Sequence, residues 1–90
     1  MVKKSKVIEF LLHESRPIVL DLDGKKQRGI IILQRLVVRE FGKTAYEILR
    51  RMFVHDVKKV SIDGKIYVFI PEKDINRLRK KLKYLEGKGR

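Results

Sequence analysis

Arg50 and Arg51 are the side chains of this chain best equipped for specific chemistry. They end a stretch, Lys43 to Met52, in which Ala45, Ile48, Leu49 and Met52 recur at i, i+3, i+4 and i+7, the spacing of a helix with one buried face. Thr44, Tyr46, Glu47, Arg50 and Arg51 then share the outer face. A guanidinium is a planar fork of donors suited to phosphate oxygens and to the paired acceptors of guanine. The hydroxyls of Thr44 and Tyr46 can bond phosphate or base, and Lys43 stands near the helix N-terminus, where anions are favoured. Glu47 either accepts from cytosine or pairs with Arg50 or Arg51 at i+3 and i+4. Two further basic groups, Lys58, Lys59 and Lys65 around Asp63-Gly64 and Lys25, Lys26 and Arg28 after Asp23-Gly24, can grip phosphates, contacts that position a protein without reading sequence. Any one of these lysines is equally well a solvated surface charge.

Nothing in the chain assembles a catalytic centre. Gly42-Lys43-Thr44 matches the end of a phosphate-binding loop, but the glycine required five residues earlier is Val37. His13 and His55 have no third ligand to make a metal site. Ser5, Ser15 and Ser61 have no base and orienting group in view. The expectation is a binding protein without enzymatic activity, cofactor, metal or small-molecule substrate.

Bulk properties agree. The 90 residues carry 23 Lys+Arg against 11 Asp+Glu, a formal +12, and a charge of that size attracts polyanions, nucleic acid foremost. A composition with 38% charged residues and no cysteine also suits a thermophile, yet that accounts for the number of charges and not for their imbalance. Without cysteine there is no disulfide framework, which fits a reducing, intracellular setting; with nucleic acid as the expected partner, the expectation is a cytoplasmic, nucleoid-associated protein. The apolar run at the N-terminus is short and broken by Glu9 and His13, so neither a signal peptide nor a membrane span is expected.

The elements that must position these residues follow in order. Lys4 to Glu14 reads as a helix through Val7, Ile8, Leu11 and Leu12, with Ser5 as a cap and Arg16-Pro17 as its stop. Pro17 to Leu22 is β-branched and reads as a strand. Gly29 to Phe41 is ambiguous. Ile30, Leu33, Val37 and Phe41 form a helical stripe, whereas Ile30–Ile32 after Asp23-Gly24 suits a hairpin with Pro17–Leu22; the helix is preferred for its length. Gly42 stops it, and Thr44 is the candidate cap of the next. Asp63-Gly64 between VKKVSI and KIYVFI predicts a type I′ hairpin that sets Ser61 opposite Ile66, Val60 opposite Tyr67 and Lys59 opposite Val68. Ile66–Ile70 is apolar on both faces and so internal to a sheet, with Pro17–Leu22 as its expected other neighbour. His13 is expected half-buried and His55 exposed. A last helix runs from Glu72 or Asp74 to about Glu86 with Ile75, Leu78, Leu82 and Leu85 as a seam, before a basic tail at 87–90.

LVVREFGKTAYEILRRM followed by the Asp63-Gly64 hairpin resembles the winged helix-turn-helix DNA-binding proteins, over roughly residues 4–71. The resemblance implies an α+β fold: a winged helix with a three-stranded antiparallel sheet and, at 72–86, an added C-terminal helix. It implies a double-stranded DNA-binding transcriptional regulator that inserts helix 43–53 into the major groove with hairpin 57–70 as wing. The leucine seam resembles the helices through which small archaeal and viral regulators dimerise. A homodimer through Ile75, Leu78, Leu82 and Leu85 is therefore expected, the other use of the seam being to pack on the first helix of the same chain. If Gly29–Glu40 is a strand instead, the order becomes helix, hairpin, helix, hairpin, helix, and that basic α+β protein binds RNA or acts as the partner of an acidic protein; a non-specific nucleoid role is the other alternative to a regulator.

Overall fold

Two Asp-Gly pairs set the strand layout. The computed structural model describes residues 3–88, and in it Asp23 and Gly24 take φ of 54° and 76° while Asp63 and Gly64 take 51° and 77°. These paired positive angles define type I′ turns, whose twist matches that of the strands they join. The first turn links β1 (Arg16–Leu22) to β2 (Lys25–Leu33), and the second links β3 (Lys58–Ile62) to β4 (Lys65–Pro71). The two hairpins associate through β2 and β4 into a four-stranded antiparallel sheet of order β1-β2-β4-β3. Four helices complete the α+β fold: α1 (Lys4–Glu14), α2 (Gln34–Phe41), α3 (Lys43–Met52) and α4 (Glu72–Lys88).

The second hairpin has the expected register, with Ser61 opposite Ile66, Val60 opposite Tyr67 and Lys59 opposite Val68. β4 is internal, as its two apolar faces require. Its other neighbour, however, is Gly29–Leu33 and not Pro17–Leu22, which lies one strand further out at the edge. The sheet therefore has four strands where three were expected, and the helix expected over Gly29–Phe41 begins only at Gln34. The reason is local and tertiary at once. Ile30–Ile32 are β-branched and stiff at χ1, the preceding turn holds them against β1, and β4 offers a second ladder on their other side.

Side-chain alternation gives the sheet two unlike faces. On one face Ile32, Val68 and Ile70 join Val7, Ile8 and Leu11 of α1, Val37 of α2, Ala45, Leu49 and Met52 of α3 and Leu78 of α4 in a single core. The other face belongs to Ile18, Leu20 and Leu22 on β1, Ile31 and Leu33 on β2, Tyr67 and Phe69 on β4, and Val60 and Ile62 on β3. None of these nine belongs to the core that the helices cover. Eight are half-buried, and Phe69 is fully buried. Its ring leans over Gly29, where a Cβ would stand 2.7 and 2.9 Å from two ring carbons.

α4 lies along α1 and over β2. Leu78 has no exposure, and Ile75, Leu82 and Leu85 pack against the core. The seam thus packs on this chain's own core, the second of the two uses expected for it, because a core this thin, with only ~60–65% of the surface buried at this size, draws in every apolar stripe within reach. The helix also continues through Lys88, so residues 87 and 88 are not tail; 89 and 90 lie outside the described residues. No helix among the described residues is long and apolar enough to cross a membrane.

Two expected caps are absent. α1 starts from Lys3 with no side-chain cap bond, leaving Ser5 in its first turn. α3 starts from Gly42, again without a side-chain cap, so Thr44 is already helical. His13, expected half-buried, is exposed, as is His55.

Candidate nucleic-acid interface

α2 and α3 are separated by Gly42 alone. Gly42 adopts φ 79° and ψ −160°, a region that a Cβ disfavours, and its N–H donates to the Val38 carbonyl at 2.6 Å. The turn ends α2 and re-aims the chain within one residue. The amphipathic pattern of α3 then fixes its rotation: Ala45, Leu49 and Met52 are buried and Ile48 packs against the core. Lys43, Thr44, Tyr46, Glu47, Arg50 and Arg51 are all exposed. At ~100° per residue these six fall within a single arc of about 160°, with Lys43, Glu47 and Arg50 near its middle and Tyr46 and Thr44 at its margins.

Glu47, Arg50 and Arg51 line a shallow depression of about 390 Å³. Among the described residues neither arginine forms an ion pair, nor does Lys43. Of the two alternatives for Glu47, the pairing with Arg50 or Arg51 is not formed, so both guanidinium forks are unengaged. A charge-assisted bond to an incoming anion then costs no internal partner.

The structure divides the remaining basic residues. Lys59 projects on the helix-bearing side of the sheet, paired with Val68, whereas Lys58 and Lys65, paired with Phe69 and Ile62, project on the opposite side. Lys25, paired with Leu22, shares that opposite side, while Lys26 and Arg28 share the helix side. Because β2 and β4 are antiparallel, the Asp23-Gly24 and Asp63-Gly64 turns sit at opposite ends of the sheet. Lys25, Lys26 and Arg28 are therefore not neighbours of Lys65. All six are exposed, but no single flat surface gathers them.

Sequence reasoning missed Asp56. It follows the close of α3, where the N–H groups of His55, Asp56 and Val57 converge on the Met52 carbonyl at 3.1, 2.8 and 3.0 Å. Its side chain is 1% exposed. Lys81 of α4 donates to its Oδ2 at 2.5 Å, and Arg77 Nη1 lies 3.9 Å from its Oδ1. Arg77 also donates to the His55 carbonyl at 3.1 Å. This junction clamps α4 to the C-terminal end of α3 and holds the arginine-bearing helix in place. The partners are 21 to 25 residues apart, and nothing in the local pattern around Asp56 signals the pairing.

Comparison with known proteins gave no match: no protein-family model, no curated protein and no solved structure matches the chain.

Proposed function

We propose that the chain binds double-stranded DNA as a winged helix-turn-helix regulator, laying α3 in the major groove with the β3–β4 hairpin as its wing. The observation that carries this reading is the outer arc of α3, where Arg50, Arg51 and Lys43 are exposed and unpaired on a helix whose opposite face is locked into the core. An α-helix fits the major groove, and arginine forks match the guanine O6 and N7 acceptors there. The order of elements also supports it. β2 stands between the first helix and the α2–α3 pair and lies beside the second strand of the wing, with β1 as an addition at its outer edge. Lys59 projects on the same side of the sheet as α3 and serves as a phosphate contact; Lys26 and Arg28, at the far end, serve phosphates further along the duplex.

Gel shifts across salt test the reading. Duplex DNA is expected to bind with a log–log salt slope set by the number of phosphates neutralised. Arg50→Ala or Arg51→Ala is expected to weaken a preferred site by ~1–3 kcal/mol each, about 5- to 150-fold, with less effect on competitor DNA. Lys59→Ala is expected to weaken all duplexes alike and lower the salt slope by about 1. A steep slope with equal loss on every sequence would replace base reading by non-specific, nucleoid-type binding. Tighter binding to structured RNA than to duplex DNA would overturn the proposal.

A further inference from the structure

The sheet face that carries no helix is chemically unusual for a chain of this charge. A solvated antiparallel face normally alternates into polar residues; here the interior positions are aliphatic or aromatic. Their register builds a staggered patch. Its central row runs Arg16–Ile31–Phe69–Lys58 across all four strands, and the two hairpins extend it in opposite directions, through Leu20 to Lys25 one way and through Tyr67 to Lys65 the other. The four cations therefore stand at the four extremities. Arg16 and Lys58 hold the two outer edges, and Lys25 and Lys65 hold the two hairpin tips; all four are exposed. Between them no position on this face is acidic, and Gln27 is its sole uncharged polar residue.

We propose that this face docks a protein segment of complementary chemistry, an apolar stripe flanked by carboxylates. Charge decides among occupants. A second copy would bring the same cationic rim against itself, and like-charge juxtaposition at a rim is unfavourable. A stacking platform for single-stranded nucleic acid needs exposed aromatic rings, and Phe69 is fully buried, leaving Tyr67 alone and half-covered. A bilayer is entered by protruding side chains, whereas the most exposed large apolar residues, Val19, Leu36, Tyr46, Val54, Ile66 and Tyr84, all lie elsewhere. What is left is a flat, half-covered apolar surface inside a ring of positive charge, which matches an apolar centre inside a ring of negative charge.

Size sets the expected strength. Strands ~4.8 Å apart and same-face residues ~6.7 Å apart give each position about 32 Å², so the apolar interior spans on the order of 350 Å². That is less than half of one partner's share in a standard interface but typical of a functional patch on a monomer. The contact is transient, in the micromolar class.

Titration of the isotope-labelled full chain tests the proposal with two synthetic amphipathic peptides that share one apolar stripe, flanked by glutamates in one and lysines in the other. The glutamate peptide is expected to bind at least tenfold tighter and to shift the amides of Leu20, Ile31 and Tyr67. The surface double variant Lys25→Glu/Lys65→Glu is expected to invert that preference; both positions are exposed, so the fold is kept. Arg50→Ala/Arg51→Ala is expected to leave peptide binding unchanged, which separates this result from the fate of the DNA reading. Equal affinity for both peptides, no preference inversion, or shifts confined to α3 or α4 would overturn the proposal. So would dimerisation of the free chain with line broadening on this face, or tighter binding there of single-stranded oligonucleotides or anionic vesicles.

Discussion

Gly29→Ala is expected to cost ~3 kcal/mol or more, a large share of the ~5–10 kcal/mol that holds a domain of this size together. A Cβ at this position meets the Phe69 ring carbons at 2.7 and 2.9 Å and the Ile70 carbonyl oxygen closer still. Neither neighbour can yield cheaply. Phe69 has no exposed surface to swing towards, and Ile70 belongs to the β2–β4 ladder that unites the two hairpins. Overpacking alone typically costs ~1–3 kcal/mol, and backbone displacement in a central ladder adds to it. Urea denaturation followed by circular dichroism measures the loss. Gly87→Ala, in α4 with open space around its Cβ position, is the control and is expected to be neutral or slightly stabilising. Phe69→Leu in the Gly29→Ala background recovers only the part of the loss that the ring causes.

Lys81→Met is expected to cost about 3 kcal/mol, at the low end of what breaking a buried pair costs. It leaves the Asp56 carboxylate 1% exposed with Arg77 at 3.9 Å and without its hydrogen bond from Lys81. Removal from the other side is milder. Lys81 is 31% exposed, so after Asp56→Asn its ammonium still reaches water, and a loss of about 1 kcal/mol is expected. The double variant should fall well short of the sum, with a coupling of at least ~1 kcal/mol in a double-mutant cycle. Additive losses would show that the two residues act separately. Since the pair joins α4 to the end of α3, hydrogen exchange at Met52–Val57 is expected to quicken in Lys81→Met before global unfolding does.

Where the pattern was short and self-contained, the sequence revealed the fold. The Asp63-Gly64 turn gave the register of β3 and β4 residue by residue, because a two-residue type I′ loop admits one register. The buried and exposed faces of α3 followed from the spacing of Ala45, Ile48, Leu49 and Met52 alone. Gly29–Leu33 failed for an identifiable reason. Ile30 and Leu33 fall in helical phase with Val37 and Phe41 because a strand runs straight into a helix, and the true determinant, a β4 partner some 40 positions on in the chain (Ile30 with Ile70), leaves no local mark. The same limit hid the fourth strand. The leucine seam was legible as an apolar stripe, but its partner was not, since a stripe is equally satisfied by a second chain or by α1. In the candidate interface, the outward residues of α3 were legible one by one. What periodicity could not give was the separation of Lys25, Lys26 and Arg28 from Lys65, which depends on the antiparallel union of two hairpins.

Leu33 ends β2 and at the same time is the residue from which α2 departs; Pro71 ends β4 and α4 begins at the next residue. Both passages from strand to helix thus contain no slack. The sheet is a lever arm welded to the helices it supports. No loop between Leu33 and Gln34 absorbs a displacement of Ile31 and Leu33, and only Gly42 separates α2 from the helix that carries the arginines. Of the two passages from helix to strand, α1 reaches β1 through Ser15 alone, and the longer one, from Phe53 to Val57, is the joint with spare chain, which the Asp56 clamp closes. Inserting a few flexible residues after Leu33 is expected to loosen this link, read as faster amide hydrogen exchange in α2 than in α1.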